Sequence, residues 1–394
     1  MELNPFARDF QADPYPTYRW LREHAPLYRN EALDFWALSR FRDVQTALAD
    51  WATYSSAEGV QLERLDPEMS KLIPIMIHMD PPRHDRLRKL VSKAFTPRRV
   101  AELEPFVRQI AERLLEPLVA RGGGDFVSEF SAPLPMDVIF TLLHVPEGDR
   151  PHLRHLMDLT LERDADSPAL PSRALEAMLE LARYWFDLVR TLRRQPDDGL
   201  VAGLLEAEIE DEHGRPTRLS DGEIVGFCSL LGAAGNETTT RLLANAAVLF
   251  AQHPEQYAII RADPARIPGA VEEVVRHSTP AQYTARTVTR EAQWYGTTVP
   301  AGARMLLLLG AANRDEREYP DPDTFRVTRT ITNPLGFGHG VHYCLGASLA
   351  RLESRVALEE FARRVPAYVV DEARCERAQM SNVHGWTRVP FATG

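Results

Sequence analysis

The stretch Phe337-Gly338-His339-Gly340-Val341-His342-Tyr343-Cys344-Leu345-Gly346 runs at once into the helix-like A-S-L-A-R-L-E-S-R-V of residues 347–356. It places one cysteine where a glycine-rich loop enters a helix. Backbone N–H groups at a helix start point outward with partial positive charge, so they can hydrogen-bond a thiolate at Cys344 and lower its pKa. Gly338 and Gly340 permit a tight turn at positive φ, and Gly346 removes side-chain bulk beside whatever Cys344 holds. A flat, bulky cofactor needs that clearance. Two other readings compete. A free cysteine is among the most buried residue types, so the loop could simply be packing. Alternatively His339, His342 and Cys344 could ligate zinc, as in a hydrolase. The spacings H-x-x-H and H-x-C are cramped for one tetrahedral ion, and no fourth ligand lies near in sequence.

Further upstream, Leu219-Ser220-Asp221-Gly222-Glu223-Ile224 has Ser220 at an N-cap and Glu223 three residues on, a capping box that opens a helix. Inside the apolar run that follows, Ala234-Gly235-Asn236-Glu237-Thr238-Thr239 sets small residues, an acid and hydroxyls where a buried helix would not favour them. Thr238 can bond the carbonyl of Ala234 and loosen the helix, while Gly235 leaves room for a small diatomic ligand. Close packing on a neighbour is the bland alternative. Glu273 and Arg276 stand three apart on one helix face, a spacing that contributes only about 0.2–0.5 kcal/mol at a surface. His84 and Arg88 share a face of a helix that starts just after Pro81-Pro82, which by itself reads as a solvated basic helix.

Taken in order, these runs resemble the cytochrome P450 family: H-x-x-x-R, A-G-x-E-T-T, E-x-x-R, then F-G-x-G-x-H-x-C-x-G. The resemblance extends from Asp13-Pro14-Tyr15-Pro16 to Trp386-Thr387-Arg388-Val389-Pro390. It implies haem b (iron protoporphyrin IX), with Cys344 as the thiolate ligand of the iron, and O2 as co-substrate. Phe337 would pack on the cysteine side of the ring, with Gly338 and Gly346 shaping the loop. His84, Arg88, Arg286 and His342 would meet the propionates. Ala234 and Gly235 would form the oxygen groove, and Glu237 and Thr238 the acid–alcohol pair that delivers protons to dioxygen. Glu273, Arg276 and Arg329 would hold the cysteine loop in register.

Lys and Arg total 46 against 56 Asp and Glu, a net charge of -10 on 394 residues, which argues against a nucleic-acid binder. Cys228, Cys344 and Cys375 are too few and too scattered for a disulfide framework. The N-terminus lacks the apolar stretch of a signal peptide, and the longest apolar runs fall short of the ~20 residues that span a bilayer. A soluble cytoplasmic protein is expected. Helical periodicity dominates, for example over Val100 to Ala120, Ala174 to Arg193 and Leu345 to Val365. Strands are expected at Phe35 to Leu38, around Thr287 to Trp294, at Ala303 to Leu309, and as a pair around Tyr368 and Val383. Loops are expected at Gly122 to Gly124, Gln195 to Gly199 and Glu206 to Pro216. The expected fold class is mainly α, a P450-type helical bundle around a buried haem with small β-sheets, in one domain over 1–394.

These readings predict a monooxygenase that hydroxylates or epoxidises a hydrophobic small molecule. From Arg83 to Arg99 seven Lys and Arg face only Asp85, a basic patch suited to an acidic partner. The resemblance implies a ferredoxin with its ferredoxin reductase as electron donors to a monomer. A haem sensor or electron carrier is the rival from another class, and the Glu237–Thr238 pair argues against it. Substrate would lie between the threonine helix and three segments, Gly59 to Ile77, Leu159 to Met178 and Pro280 to Thr284, with the turn Met380 to Asn382 closing the site. Leu62, Leu72, Ile75, Met76, Ala281 and Met380 would supply an apolar lining, and Gln61, Gln282 or Tyr283 could read a polar group.

Overall fold

The Ser220 capping box forms as expected, with the Glu223 amide donating to Ser220 Oγ (3.2 Å) and the Ser220 amide to Glu223 Oε2 (2.9 Å). It opens the helix Asp221–Gln252, whose 32 residues at 1.5 Å rise span about 48 Å. That helix is apolar on nearly every side and buried along most of its length, the signature of a core helix rather than a surface one. Helices Pro133–Leu142, Ser172–Arg194, Ile267–His277 and Ala347–Arg364 pack around it. The computed structural model describes the chain apart from residues 94, 162–170, 197–198, 211–213, 333 and 381, and apart from the side chains of 69, 161 and 210. The middle of the expected substrate segment 159–178, parts of the expected loops 195–199 and 206–216, and one residue of the turn 380–382 lie outside the described residues.

Five short strands form the largest sheet, in the order Leu27–Asn30, Phe35–Leu38, Arg304–Leu307, Thr284–Val288, Tyr54–Ser55. The run Met305-Leu306-Leu307 is apolar throughout because both faces of this sheet are covered. Met305 and Leu307 join one apolar cluster with Leu38 and Phe41; Leu306 points to the other, with Leu3, Phe10 and Tyr18.

Three expectations are corrected. The helix expected over 100–120 is two, Pro97–Glu102 and Glu104–Ala120, because Pro105 lacks the N–H that would continue the ladder. Gly122 to Gly124 is not simply a loop. Gly123–Asp125 pairs with Pro390–Thr393, and a Cβ on Gly123 would stand 2.2 Å from Phe391 O, so the close approach requires glycine there. Tyr368–Val370 pairs with that same C-terminal strand, whereas Val383 bridges Ala281 instead. Among the described residues no helix is long and apolar enough to cross a membrane.

Candidate active site

The cysteine loop turns at Gly338 (φ +72) and Gly340 (φ +70), and a Cβ on Gly340 would stand 2.7 Å from Leu48 O. The Cys344 amide donates to Phe337 O (2.8 Å), closing the loop, and the helix begins at Ala347. Phe337 is held from outside by Arg351, whose guanidinium lies 4.3 Å from the ring centroid and pairs with Glu272 (2.5 Å). The Gly346 amide does bond the Cys344 sulfur, as a helix start should. Burial nevertheless outweighs it, together with Arg88 and Arg351, so the thiol is pushed up, not down, from its ordinary value. Cys344 is nevertheless exposed as a residue, although many protein atoms surround its sulfur.

His339 and His342 part company. The first stands beside Gln45, Thr46 and Asp50, while His342 Nε2 meets Ser56 Oγ at 3.2 Å and its ring lies 4.3 Å from that of His84. Among the described residues no group of three His, Cys, Asp or Glu could hold a metal ion, so the zinc arrangement is not assembled.

The central helix opens only where the sequence turns unfavourable: Ala233 and Ala234 are exposed, Gly235 and Thr238 half-buried. Thr238 Oγ1 donates to Ala234 O at 2.9 Å, as the spacing predicts. Gly235 behaves differently from expectation. Its missing side chain makes room for Ile139, since a Cβ there would lie 2.9 Å from Cδ1, so the groove belongs to Ala233, Ala234 and Thr238. Glu237 is buried and bonded to Arg241 Nε (2.6 Å), whose other arm reaches Trp386 O. Thr239 bonds Glu353 of the helix that Cys344 leads into, which ties the central helix to the helix behind the cysteine loop; haem and substrate would occupy the space bordered by the open stretch and that loop.

One edge of that space is basic. Arg88 Nη2 donates to Tyr343 O (2.5 Å), and Arg286 is buried, bonding Thr284 Oγ1 and Ala285 O (2.6 and 2.8 Å). Burial, then Arg286, His84 and Arg88, push His342 down to about 3; burial, Arg304 and Arg286 push His78 down to about 4. His84 is lowered too, chiefly by burial, and its Nε2 is buried without a partner. Cationic groups that depress one another's protonation in this way suit an anion, whose attraction would offset their mutual repulsion. The space also has room beside the cysteine, because a Cβ on Gly346 would meet nothing within 4 Å. An exposed cysteine with free room beside it, an uncluttered helix stretch and a basic cluster fit a flat macrocycle with propionates.

The cytochrome P450 family model matches residues 188–365. A "Putative cytochrome P450 123" of Mycobacterium tuberculosis is 46% identical over 392 residues, 99% of this chain and 96% of that protein. The chain belongs to the cytochrome P450 family. A vitamin D(3) 25-hydroxylase of Pseudonocardia autotrophica is 38% identical over 395 residues, 99% of this chain and 96% of that protein. Among solved structures, cytochrome P450 CYP109Q5 from Chondromyces apiculatus superposes with a TM-score of 0.88 at 32% identity, over 99% of this chain and 98% of that one. The fold is therefore the P450 fold, and the protein is a P450 monooxygenase with haem b as cofactor and O2 as co-substrate.

Within this P450, Glu273 and Arg276 are fully buried rather than solvated, and Arg329 Nε reaches Glu273 Oε1 at 3.3 Å. Arg276 Nη1 donates to Asn313 O (3.1 Å), and Asn313 Oδ1 accepts from the Leu335 amide (2.7 Å) at the start of the cysteine loop. The expected pocket residues scatter. Ile75 is half-buried and Met76 lies in the main core, but Leu72 turns out to solvent and Leu62 packs on the N-terminal cluster. Gln61 lends its carbonyl to Arg304, and Tyr283 lies buried in the N-terminal cluster. Ala281 and Gln282 are joined to the C-terminal turn by the Ala281–Val383 bridge and by Gln282 N to Asn382 O (2.8 Å), near half-buried Met380. Gln282 Nε2 donates to Thr279 O (2.5 Å), and Gln282 Oε1 lies over Gly310 without a partner.

Sequence reading missed Glu353. It stands on the buried stripe of its helix with Leu349, Leu352, Val356 and Ala357, and an acid on an apolar stripe was the available signal. Its Oε1 has no partner, and burial pushes the carboxyl up to about 8. The unfolded chain ionises Glu353 near its ordinary 4.5, so above that pH the native state holds the extra proton. Stability should thus fall as pH rises towards 8, by up to about 1.4 kcal/mol per unit, and level off beyond. Glu353→Gln is expected to remove this slope, with wild type and variant closest near pH 5 and furthest apart near pH 8. Urea midpoints at both pH values check this, and parallel shifts would refute it.

Proposed function

We propose that this P450 inserts one oxygen atom of O2 into a hydrophobic small molecule, using electrons from a ferredoxin-type partner. The observation that carries the reading is the exposure of Ala233 and Ala234, beside half-buried Thr238, in the middle of a helix that is buried over most of its length. Bound haem supplies the redox chemistry: activation of O2 with two electrons, aided by electron density from a thiolate ligand. Cys344 would hold the iron, while His84, His342, Arg88 and Arg286 would hold the propionates by charge-assisted hydrogen bonds. Phe337, Gly338 and Gly346 would shape the cysteine side, and the network of Glu273, Arg276 and Arg329 would keep the loop in register.

Proton delivery falls to Glu237 and Thr238. Thr238 commits its hydrogen to Ala234 O, leaving the Oγ1 lone pairs on the open side to accept from an ordered water. Glu237 is tied to Arg241, so it must leave that ion pair before its carboxylate can carry a proton inward. Gly235 supports this stretch by admitting Ile139 behind it.

Electrons would enter through the basic face. Arg83 and Arg98 are paired with Glu223 and Glu102, whereas Lys89, Lys93 and Arg99 stand exposed. An acidic ferredoxin suits it, with association that weakens as salt rises. For substrate, the apolar residues near the space and the vitamin D(3) hydroxylase among the relatives favour a hydrophobic compound.

Thr238→Ala is the direct test. With a surrogate ferredoxin and reductase, the variant should keep its haem and its electron consumption but release peroxide. Product formation should drop roughly 10²-fold, the lower end of what a positioned proton donor contributes. Unchanged product per electron pair would remove Thr238 from the reaction.

A further inference from the structure

The first turns of the central helix carry two glycines, Gly222 and Gly226, one turn apart, where each costs about 1 kcal/mol relative to alanine. Both are met by backbone. A Cβ on Gly226 would stand 2.3 Å from Pro74 O, 3.0 Å from Pro74 C and 3.5 Å from Ile75 Cα, and one on Gly222 would stand 2.7 Å from Leu72 O. The carbonyls of 72–74 therefore lie directly on the helix, within reach of weak Cα–H···O contacts. This explains why the Leu72 side chain is 61% exposed: the main chain, not the side chain, is seated.

From there the segment runs through the turn Met76–His78 to the basic edge. The His342 ring donates to the Met79 carbonyl, and Asp80 accepts from the Ser55 hydroxyl and the Ser56 amide (2.9 Å to the latter). Arg83, just beyond, bonds Glu223 between the two glycines (3.2 Å). Residues 72–80 are thus fastened at one end to the helix that carries the Ala233–Thr238 opening and at the other to the cysteine loop. They therefore connect the two.

We propose that Gly226, supported by Gly222, is a specificity-determining position: by admitting the 72–75 backbone onto the central helix it sets how far in this wall of the substrate chamber stands, and so favours slender ligands over broad ones. The proposal rests on the monooxygenase reading, in which this segment borders the chamber. An alanine at 226 forces the Pro74 carbonyl to retreat by roughly 1 Å to reach ordinary contact. Because packed interiors shift in units rather than compress, the segment should move with it.

The test uses holoenzyme carrying Gly226→Ala, Gly222→Ala, or the control Gly203→Ala, a helical site where a Cβ meets nothing within 4 Å. Two readouts are taken: amide hydrogen exchange over residues 72–79, and dissociation constants from Soret shifts with imidazole, phenylimidazole and biphenylylimidazole. Expected is faster exchange in G226A and G222A, with the affinity ratio of the broadest to the smallest azole raised about tenfold in G226A, equivalent to 1.4 kcal/mol. G222A should show a smaller rise and G203A none. Unchanged exchange would mean that the glycines do not seat the segment. Faster exchange with an unchanged ratio would mean that the segment is no chamber wall, and either result overturns the proposal. Failure of plain imidazole to shift the wild-type spectrum would sink the haem reading beneath it. Should G226A fail to fold, G222A, with the milder approach, carries the same two readouts.

Discussion

Cys344→Ser is expected to abolish monooxygenation while leaving the fold intact. Serine is nearly isosteric, and the loop geometry rests on the Cys344 amide, Gly338 and Gly340, none of which the substitution touches. What changes is the chemistry of one atom. Burial already raises the Cys344 thiol above its ordinary value, so protein groups alone do not favour the anion; an iron ion held there would, since a metal deprotonates a coordinating thiol outright. A serine hydroxyl is far less acidic and gives the iron no comparable electron density. The reduced protein under carbon monoxide should lose the strongly red-shifted Soret band of thiolate ligation. Product formation should fall at least about 10³-fold, the scale on which removing an essential group from a catalytic unit is felt. Cys375→Ser, half-buried and bonded to Asp371 O, is the matched control and should leave the band in place. A C344S protein that retained it would assign the ligand elsewhere.

The features that sequence made legible are those governed by local rules. A capping box reports its own hydrogen bonds, so Ser220 and Glu223 placed the start of the central helix. A strand covered on both faces shows as an unbroken apolar run, so Phe35–Leu38 appeared where expected. The residues expected at the site were picked out by their order along the chain, because the motif types match the chemistry that haem would demand. What stayed hidden depends on partners distant in sequence. Nothing around Gly235 announces Ile139, and nothing around Leu72 announces that its carbonyl, rather than its side chain, meets Gly222. The pKa of Cys344 was misjudged for the same reason: the helix-start amide is local, whereas the burial that outweighs it belongs to the whole fold. The spacing of Glu273 and Arg276 alone reads as a surface pair; only the resemblance implied their burial, and the packing places both out of water.

That burial makes Glu273→Gln the second large effect. Both side chains are 0% exposed, and the Glu273 carboxylate accepts from Arg276 (2.7 and 2.9 Å), Arg329 (3.3 Å) and the Arg326 amide (2.9 Å). A buried pair adds little net stability over an apolar replacement, but breaking it strands the remaining charge at a cost of about 3–5 kcal/mol. Against a total stability of roughly 5–15 kcal/mol that is a large fraction, so the urea midpoint should drop sharply and much of the protein should be lost on expression. The damage should also travel. Arg276 fixes Asn313 O, and Asn313 fixes the Leu335 amide, so a displaced guanidinium loosens the lead-in to Cys344 and haem should dissociate faster. The double variant Glu273→Leu with Arg276→Leu separates the two effects. It removes both charges of the pair, although it leaves Arg329 without its carboxylate and the Asn313 and Pro322 carbonyls without their donor. Stability should recover in large part while haem loss stays fast. Full recovery of both would mean the pair matters for charge balance alone, and an unchanged midpoint in Glu273→Gln would mean the buried network carries neither role.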